Sequence, residues 1–137
     1  MPDFSLRRRH CWRIDVVPCD PDAFCCRPEN MDLVKLEVLV GNSCAGSIKR
    51  VTVNGNVTVD TSFTTNKVDS QTATTWRLLQ LGWTPDQVAA QGFSLCITLA
   101  DPCASLRDFC MGGFCRHAFL SSGDRCCPTG DSPFIAP

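Results

Sequence analysis

Along much of the chain apolar and polar residues alternate with a period of two, the pattern of strands with one face buried and the other in water. Trp12, Ile14 and Val16 alternate with Arg13 and Asp15 and stop at Pro18. Val34, Leu36, Val38 and Val40 alternate with Lys35 and Glu37 and close at Gly41-Asn42. Val51 and Val53 run into Asn54-Gly55, a dipeptide that tolerates positive φ and predicts a tight hairpin, with Val57 and Val59 on the returning strand. Phe93, Leu95, Ile97 and Leu99 alternate with Ser94, Cys96 and Thr98, the cleanest strand pattern in the chain. Phe114–Leu120 reads as a last, strongly buried strand containing Cys115.

Helical signals are scarce. Thr84-Pro85-Asp86-Gln87 places an N-cap residue, an N1 proline and a capping-box glutamine before Val88-Ala89-Ala90, and Gly92 is a stop. Residues 104–110 read as a second short turn after Pro102. Residues 61–75 are polar, rich in Thr and Ser and without periodicity, and read as an exposed loop. Short strands, turn signals and little helix predict an all-β fold, a disulfide-stapled antiparallel β-sandwich with one or two short helices.

Composition adds the compartment. The 137 residues fit one domain, with charges nearly cancelling at -1, so no strong pull toward nucleic acid or anionic membrane is expected. Arg7, Arg8 and Arg9 form a basic run that reads as a solvated terminus, with an anion-binding patch as the alternative. Eleven cysteines dominate: Cys11, Cys19, Cys25, Cys26, Cys44, Cys96, Cys103, Cys110, Cys115, Cys126 and Cys127. The Cys-x2-Cys and His-x3-His spacings of structural zinc are missing, so disulfides are expected and no metal or cofactor. Adjacent side chains on extended backbone point to opposite sides, so Cys25-Cys26 and Cys126-Cys127 can each staple the chain in two directions.

The odd cysteine count leaves at least one thiol without an internal partner. It is free, pairs with another chain, or has its partner outside this sequence, and the lack of an apolar signal-peptide core in residues 1–9 favours the last, the expectation for a piece of a longer protein. Each bridge typically contributes roughly 2–4 kcal/mol. Pairings are open, on the order of ten thousand arrangements. One hypothesis ties Cys96 to an early cysteine such as Cys44, linking two sheets. No segment reaches the length of a bilayer span, so no membrane insertion is expected.

Catalytic chemistry is hard to assemble, and a non-enzymatic role is expected. Only His10 and His117 are present, tyrosine is absent, and no nucleophile elbow, zinc-protease, phosphate-loop or dinucleotide motif occurs. His117 reads as a packed or surface imidazole. Asp20 and Asp22, around Pro21, read as turn residues, with a Ca²⁺ site as the alternative. Asn56-Val57-Thr58 is an N-glycosylation sequon directly after the predicted turn. Trp76 and Trp83 flank a Leu-Leu-Gln-Leu stretch and are candidate carbohydrate contacts, with core packing as the competing role.

The order of these features closely resembles the pherophorin domain of green-algal extracellular-matrix and cell-wall glycoproteins. The residues that carry it begin with Cys11-Trp12-Arg13-Ile14, Val17-Pro18-Cys19 and Cys25-Cys26, and continue through Met31 to Glu37 and on to Cys44. Val51 to Gly55, Leu95-Cys96-Ile97-Thr98-Leu99, Pro102-Cys103, Leu106, Cys110 and Cys115 follow, closing with Ala118-Phe119-Leu120 and Cys126-Cys127-Pro128. Residues 1–9 stand where relatives carry an aromatic and further cysteines, and the proline-rich rod that often joins two such domains is not in this chain. The resemblance implies a secreted matrix or wall glycoprotein module that binds matrix glycoproteins or wall polysaccharide. A secreted lectin-like or signalling (sexual-inducer-type) domain is the alternative. The division it implies is an N-terminal extension, flexible or truncated, at 1–10, a disulfide-rich β domain at 11–128 and a C-terminal tail at 129–137.

Overall fold

The computed structural model describes residues 7–58, 60–110 and 114–133. Among the described residues nine strands run in the order β1 (Arg7–Ile14), β2 (Lys35–Val40), β3 (Ile48–Val53), β4 (Asn56–Val57), β5 (Thr61–Val68), β6 (Gln71–Leu78), β7 (Phe93–Ala100), β8 (Phe114–Leu120) and β9 (Thr129–Pro133). Two short helices, α1 (Pro85–Gln91) and α2 (Leu106–Phe109), bracket β7. The strands form two antiparallel sheets, β1-β7-β3-β4 and β5-β6-β2-β8-β9. The alternation read from the sequence is the reason. Leu36, Val38 and Val40 of β2 turn to the core with Trp76 and Leu78 of β6, and meet Phe93, Leu95, Ile97 and Leu99 of β7 from the other sheet. This is the all-β, disulfide-stapled sandwich.

Three aromatics, Trp76, Phe93 and Phe109, are the largest fully buried side chains among the described residues. Trp76 and Phe109 meet edge to face with ring centroids 6.3 Å apart, the arrangement that sets a positive ring edge against a negative ring face. Truncating such a ring to alanine typically costs about 3–5 kcal/mol.

Helix α1 begins as its sequence dictates. The Thr84 hydroxyl accepts from the Gln87 N–H at 3.2 Å, and the Gln87 side chain accepts from the Thr84 N–H at 2.8 Å. Gly92 ends it at φ 72° and ψ 160°, a conformation open only to glycine. Seven residues are too few for a helix to persist alone. Burial of Val88 in the core holds it in place.

The structure departs from the pattern-based expectations in four places. Residues 61–75 are not a loop: β5 and β6 form a long hairpin there, joined at Asp69-Ser70 with φ of 51° and 66°. Threonine reads as polar, but its branched Cβ favours the extended backbone. Thr74 is in fact buried, donating to the Asn42 side chain at 3.0 Å. Second, β8 is not the last strand and is only partly buried, since β9 follows it and Phe114 is exposed. Third, the stretches expected to flank the domain are partly built into it: β1 starts at Arg7 inside the 1–10 extension, and β9 lies inside the 129–137 tail. Fourth, Val16 lies beyond β1 and is exposed, and Val34 precedes β2. Val59 is outside the described residues.

Candidate functional site

Ten of the eleven cysteines are joined in five bonds: Cys11–Cys96, Cys19–Cys26, Cys25–Cys126, Cys44–Cys103 and Cys110–Cys115. The vicinal pair Cys25-Cys26 works in two directions, one sulfur reaching back to Cys19 and the other 101 residues forward to Cys126. At the second vicinal pair only Cys126 is bonded; Cys127 is exposed and free. The Cys96–Cys44 hypothesis is corrected. Cys96 does bond an early cysteine, Cys11, but across neighbouring strands of one sheet, because register sets the two directly opposite. Cys44 instead meets Cys103 in the buried end of the sandwich, where the Cys103 N–H also donates to the Ser47 hydroxyl at 3.2 Å.

The sequon sits where the hairpin signal placed it. Asn54 and Gly55 turn with φ of 50° and 82°, and Asn56 starts β4, exposed, opposite Val53. The turn is anchored to β7: the Ser94 N–H donates to the Asn54 carbonyl oxygen of its side chain at 2.7 Å, and the Asn54 amide donates to the Gly92 carbonyl at 3.1 Å. Asn56 is exposed, as an N-glycan acceptor on the folded surface must be.

The two candidate carbohydrate contacts are separated by the fold. Trp76 is 1% exposed and belongs to the core, so it cannot stack on a sugar. Its position two residues before Leu78, on the inward face of β6, decides this. Trp83 is half-buried, pairs through its backbone with Leu33, and sets its ring edge-on to Phe93 at 5.0 Å.

The sequence offered no sign of a cleft, which opens between the two sheets where edge strand β1 faces β8. One cavity of about 240 Å³ lies among Trp12, Ile14, Phe109, His117 and Phe119. A more apolar one of about 440 Å³ continues toward Val17, Leu33, Val88 and Pro128. Beside the second cavity Asp32 accepts hydrogen bonds from the Ser122 N–H and hydroxyl. The Ser122 hydroxyl bond holds the Asp32 carboxyl below its ordinary value, outweighing partial burial.

The two histidines are engaged with the backbone. His10 Nε2 lies 3.1 Å from the Ala104 carbonyl and His117 Nδ1 lies 3.1 Å from the Cys115 carbonyl. A carbonyl only accepts, so the His117 proton sits on Nδ1. That nitrogen therefore cannot take a proton from the Ser132 hydroxyl, 3.4 Å away. Asp20 and Asp22 are exposed, and the Asp22 N–H donates to Asp20 at 2.9 Å, a local turn bond. Among the described residues no three His, Cys, Asp or Glu side chains converge as a metal site, and no helix is long and apolar enough to cross a membrane.

The basic run is exposed, as expected, but it is strand and not a free terminus. Arg7, Arg8 and Arg9 are strand residues of β1, in register with Ala100, Leu99 and Thr98 of β7.

The pherophorin family model matches residues 2–128, and the chain belongs to that family, whose members are glycoproteins of the extracellular matrix. The match includes residues upstream of Cys11, where the resemblance carried by the cysteines began. No curated protein and no solved structure gives a significant match.

Proposed function

We propose that this domain is a non-catalytic module of the extracellular matrix or cell wall that binds matrix glycoproteins or wall polysaccharide. The observation that carries the reading is the covalent framework. Five bonds fasten both the sheets and the long β1–β2 connection, in a chain that belongs to a matrix family. Such cross-links form and persist in oxidising, extracellular compartments. They suit a protein that must hold its shape without chaperones.

The test is retention of the oxidised chain on extracellular matrix isolated from an alga that carries pherophorins. The oxidised protein should sediment with the matrix and the reduced, alkylated protein should not. Equal retention of both forms, or of neither, overturns the reading.

A further inference from the structure

The two sheets treat their charges differently. On the five-stranded sheet three of the four described strand cations have a carboxylate, Arg77 with Glu37 at 3.0 Å, Arg116 with Asp131 at 3.0 Å and Lys35 near Asp124 at 3.5 Å, while Lys67, opposite Thr72, stands apart from the others on β5. On the four-stranded sheet no described carboxylate pairs with Arg9, Lys49 or Arg50; Arg13 alone of this group does, with Asp15. These side chains share one surface. Strand alternation turns Trp12 and Ile14 inward and Arg9, Cys11 and Arg13 outward, as their exposure shows.

A β-bulge completes the cluster. Ile48 pairs with Leu99, but the next pairing is Arg50 with Thr98, so Lys49 is an extra residue. The bulge lets Ile48 and Val51 both meet the core while Lys49 and Arg50 both stay exposed, two adjacent cations where an unbroken strand would present one. Thr98 then lies between Arg9 on one side and Arg50 on the other, with the two strands about 10 Å apart. The Arg9 guanidinium leans across β7, its Nη2 3.4 Å from Cys96 Sγ.

We infer that this outer face binds an anionic polysaccharide, through sulfate or carboxylate groups held between Arg9 and the Lys49–Arg50 pair. Cations on an edge strand also guard against edge-to-edge pairing. That role accounts for Arg8 and its neighbours on β1 but not for a bulge two strands away. The face suits an extended sugar polymer. Between its cationic margins lie the small hydroxyls of Ser94 and Thr98, and its outward β1 and β7 positions hold no aromatic ring on which a nucleobase would stack. A net charge of -1 for the whole chain means that attraction to a polyanion must come from a local patch. The inference rests on the matrix-module reading and names the ligand class it would take.

The experiment compares retention of the oxidised chain on immobilised heparin, polygalacturonate and neutral dextran, at about 0.05 M and about 0.5 M salt. Two triple variants of equal charge change are measured beside it. One is Arg9→Gln, Lys49→Gln and Arg50→Gln; the other removes exposed cations elsewhere, Arg27→Gln, Lys67→Gln and Arg107→Gln. Retention on at least one anionic polymer, lost at high salt and absent on dextran, is expected. The face variant should bind about tenfold more weakly and the control variant within about twofold of the wild type. Preference for heparin assigns sulfate as the anion, and preference for polygalacturonate assigns carboxylate. Equal losses in the two variants, equal retention on dextran, or capture by anionic lipid vesicles and neither polysaccharide would overturn it. Where the face variant still sediments with isolated matrix as the wild type does, the surface assignment falls and the matrix reading stands.

Discussion

Cys11 and Cys96 stand directly opposite each other on neighbouring antiparallel strands, and their sulfurs close the pair into a covalent rung across the sheet. The rung joins residues 85 apart in sequence, so it removes far more freedom from the unfolded chain than a local bridge does. Loop-closure entropy assigns it about 4–5 kcal/mol, against about 2 kcal/mol for a bridge spanning only a few residues. Replacing both partners with serine should therefore lower stability much more for Cys11–Cys96 than for Cys110–Cys115, whose separation is 5. Urea unfolding midpoints of the two double variants check the order. The reverse order would show that native packing around each sulfur, and not chain entropy, decides their worth.

Asp32 makes stability depend on acid. The Ser122 hydroxyl, more than any other neighbour, holds its carboxyl below the ordinary aspartate range in the folded chain. A group depressed on folding stabilises fully above its unfolded value and loses that contribution as pH falls through the folded one. Stability should thus decline below about pH 4, and Asp32→Asn should flatten that part of the curve while leaving the slope near neutrality unchanged. Thermal melts of wild type and variant between acid and neutral pH measure it. Parallel curves would remove Asp32 from the acid response.

Much of the frame is legible in the amino-acid sequence, for reasons that particular residues show. Strands β2 and β7 declare themselves because Leu, Val, Ile and Phe recur at every second position, and the α1 cap because Thr84 and Gln87 have the right spacing. Strands β5 and β6 stay hidden because their inward positions are held partly by threonine, which a hydrophobicity pattern scores as solvent-facing. The partner of Cys96 is equally hidden, since it is set by the register of β1 on β7, a tertiary fact. The cationic face is half legible. The arginine run of β1 is plain, but the Lys49–Arg50 bulge that answers it exists only once Ile48 and Val51 have both found the core.

The reciprocal bonds between Thr84 and Gln87 satisfy two backbone N–H groups at the start of α1. Thr84→Ala should cost about 1 kcal/mol. Because Val88 of this helix is buried against the core, the loss should register in global unfolding and not only in local fraying. Circular dichroism melts of the variant measure this, and Thr84→Ser should restore most of it. A Thr84→Ala melt equal to wild type would mean that packing of Val88 alone fixes the helix.

Asn56 is exposed at a turn held to the body of the domain by Asn54. Expression through a eukaryotic secretory pathway should place one N-glycan there, seen as a mass loss on enzymatic deglycosylation and absent from Asn56→Gln. The glycan would stand at the β4 edge of the sheet whose other edge carries the arginines, leaving that margin open. An unshifted mass for the wild type would show the sequon to be unused.

Cys127 gives the most direct check on the covalent framework. Ten sulfurs are tied within the chain and cannot react with an alkylating reagent, while Cys127 is exposed beside the bonded Cys126. Alkylation without prior reduction should therefore add one label per molecule, mapped to Cys127, and alkylation after reduction should label all eleven cysteines. Cys127→Ser should take up none in the oxidised state and retain the wild-type melting temperature, because no internal bond is lost. A chain that carries several labels without reduction would be one whose sulfurs remain thiols. Cytosolic chemistry would then be the natural setting, and neither the rung across β1 and β7 nor the matrix role built on it could stand.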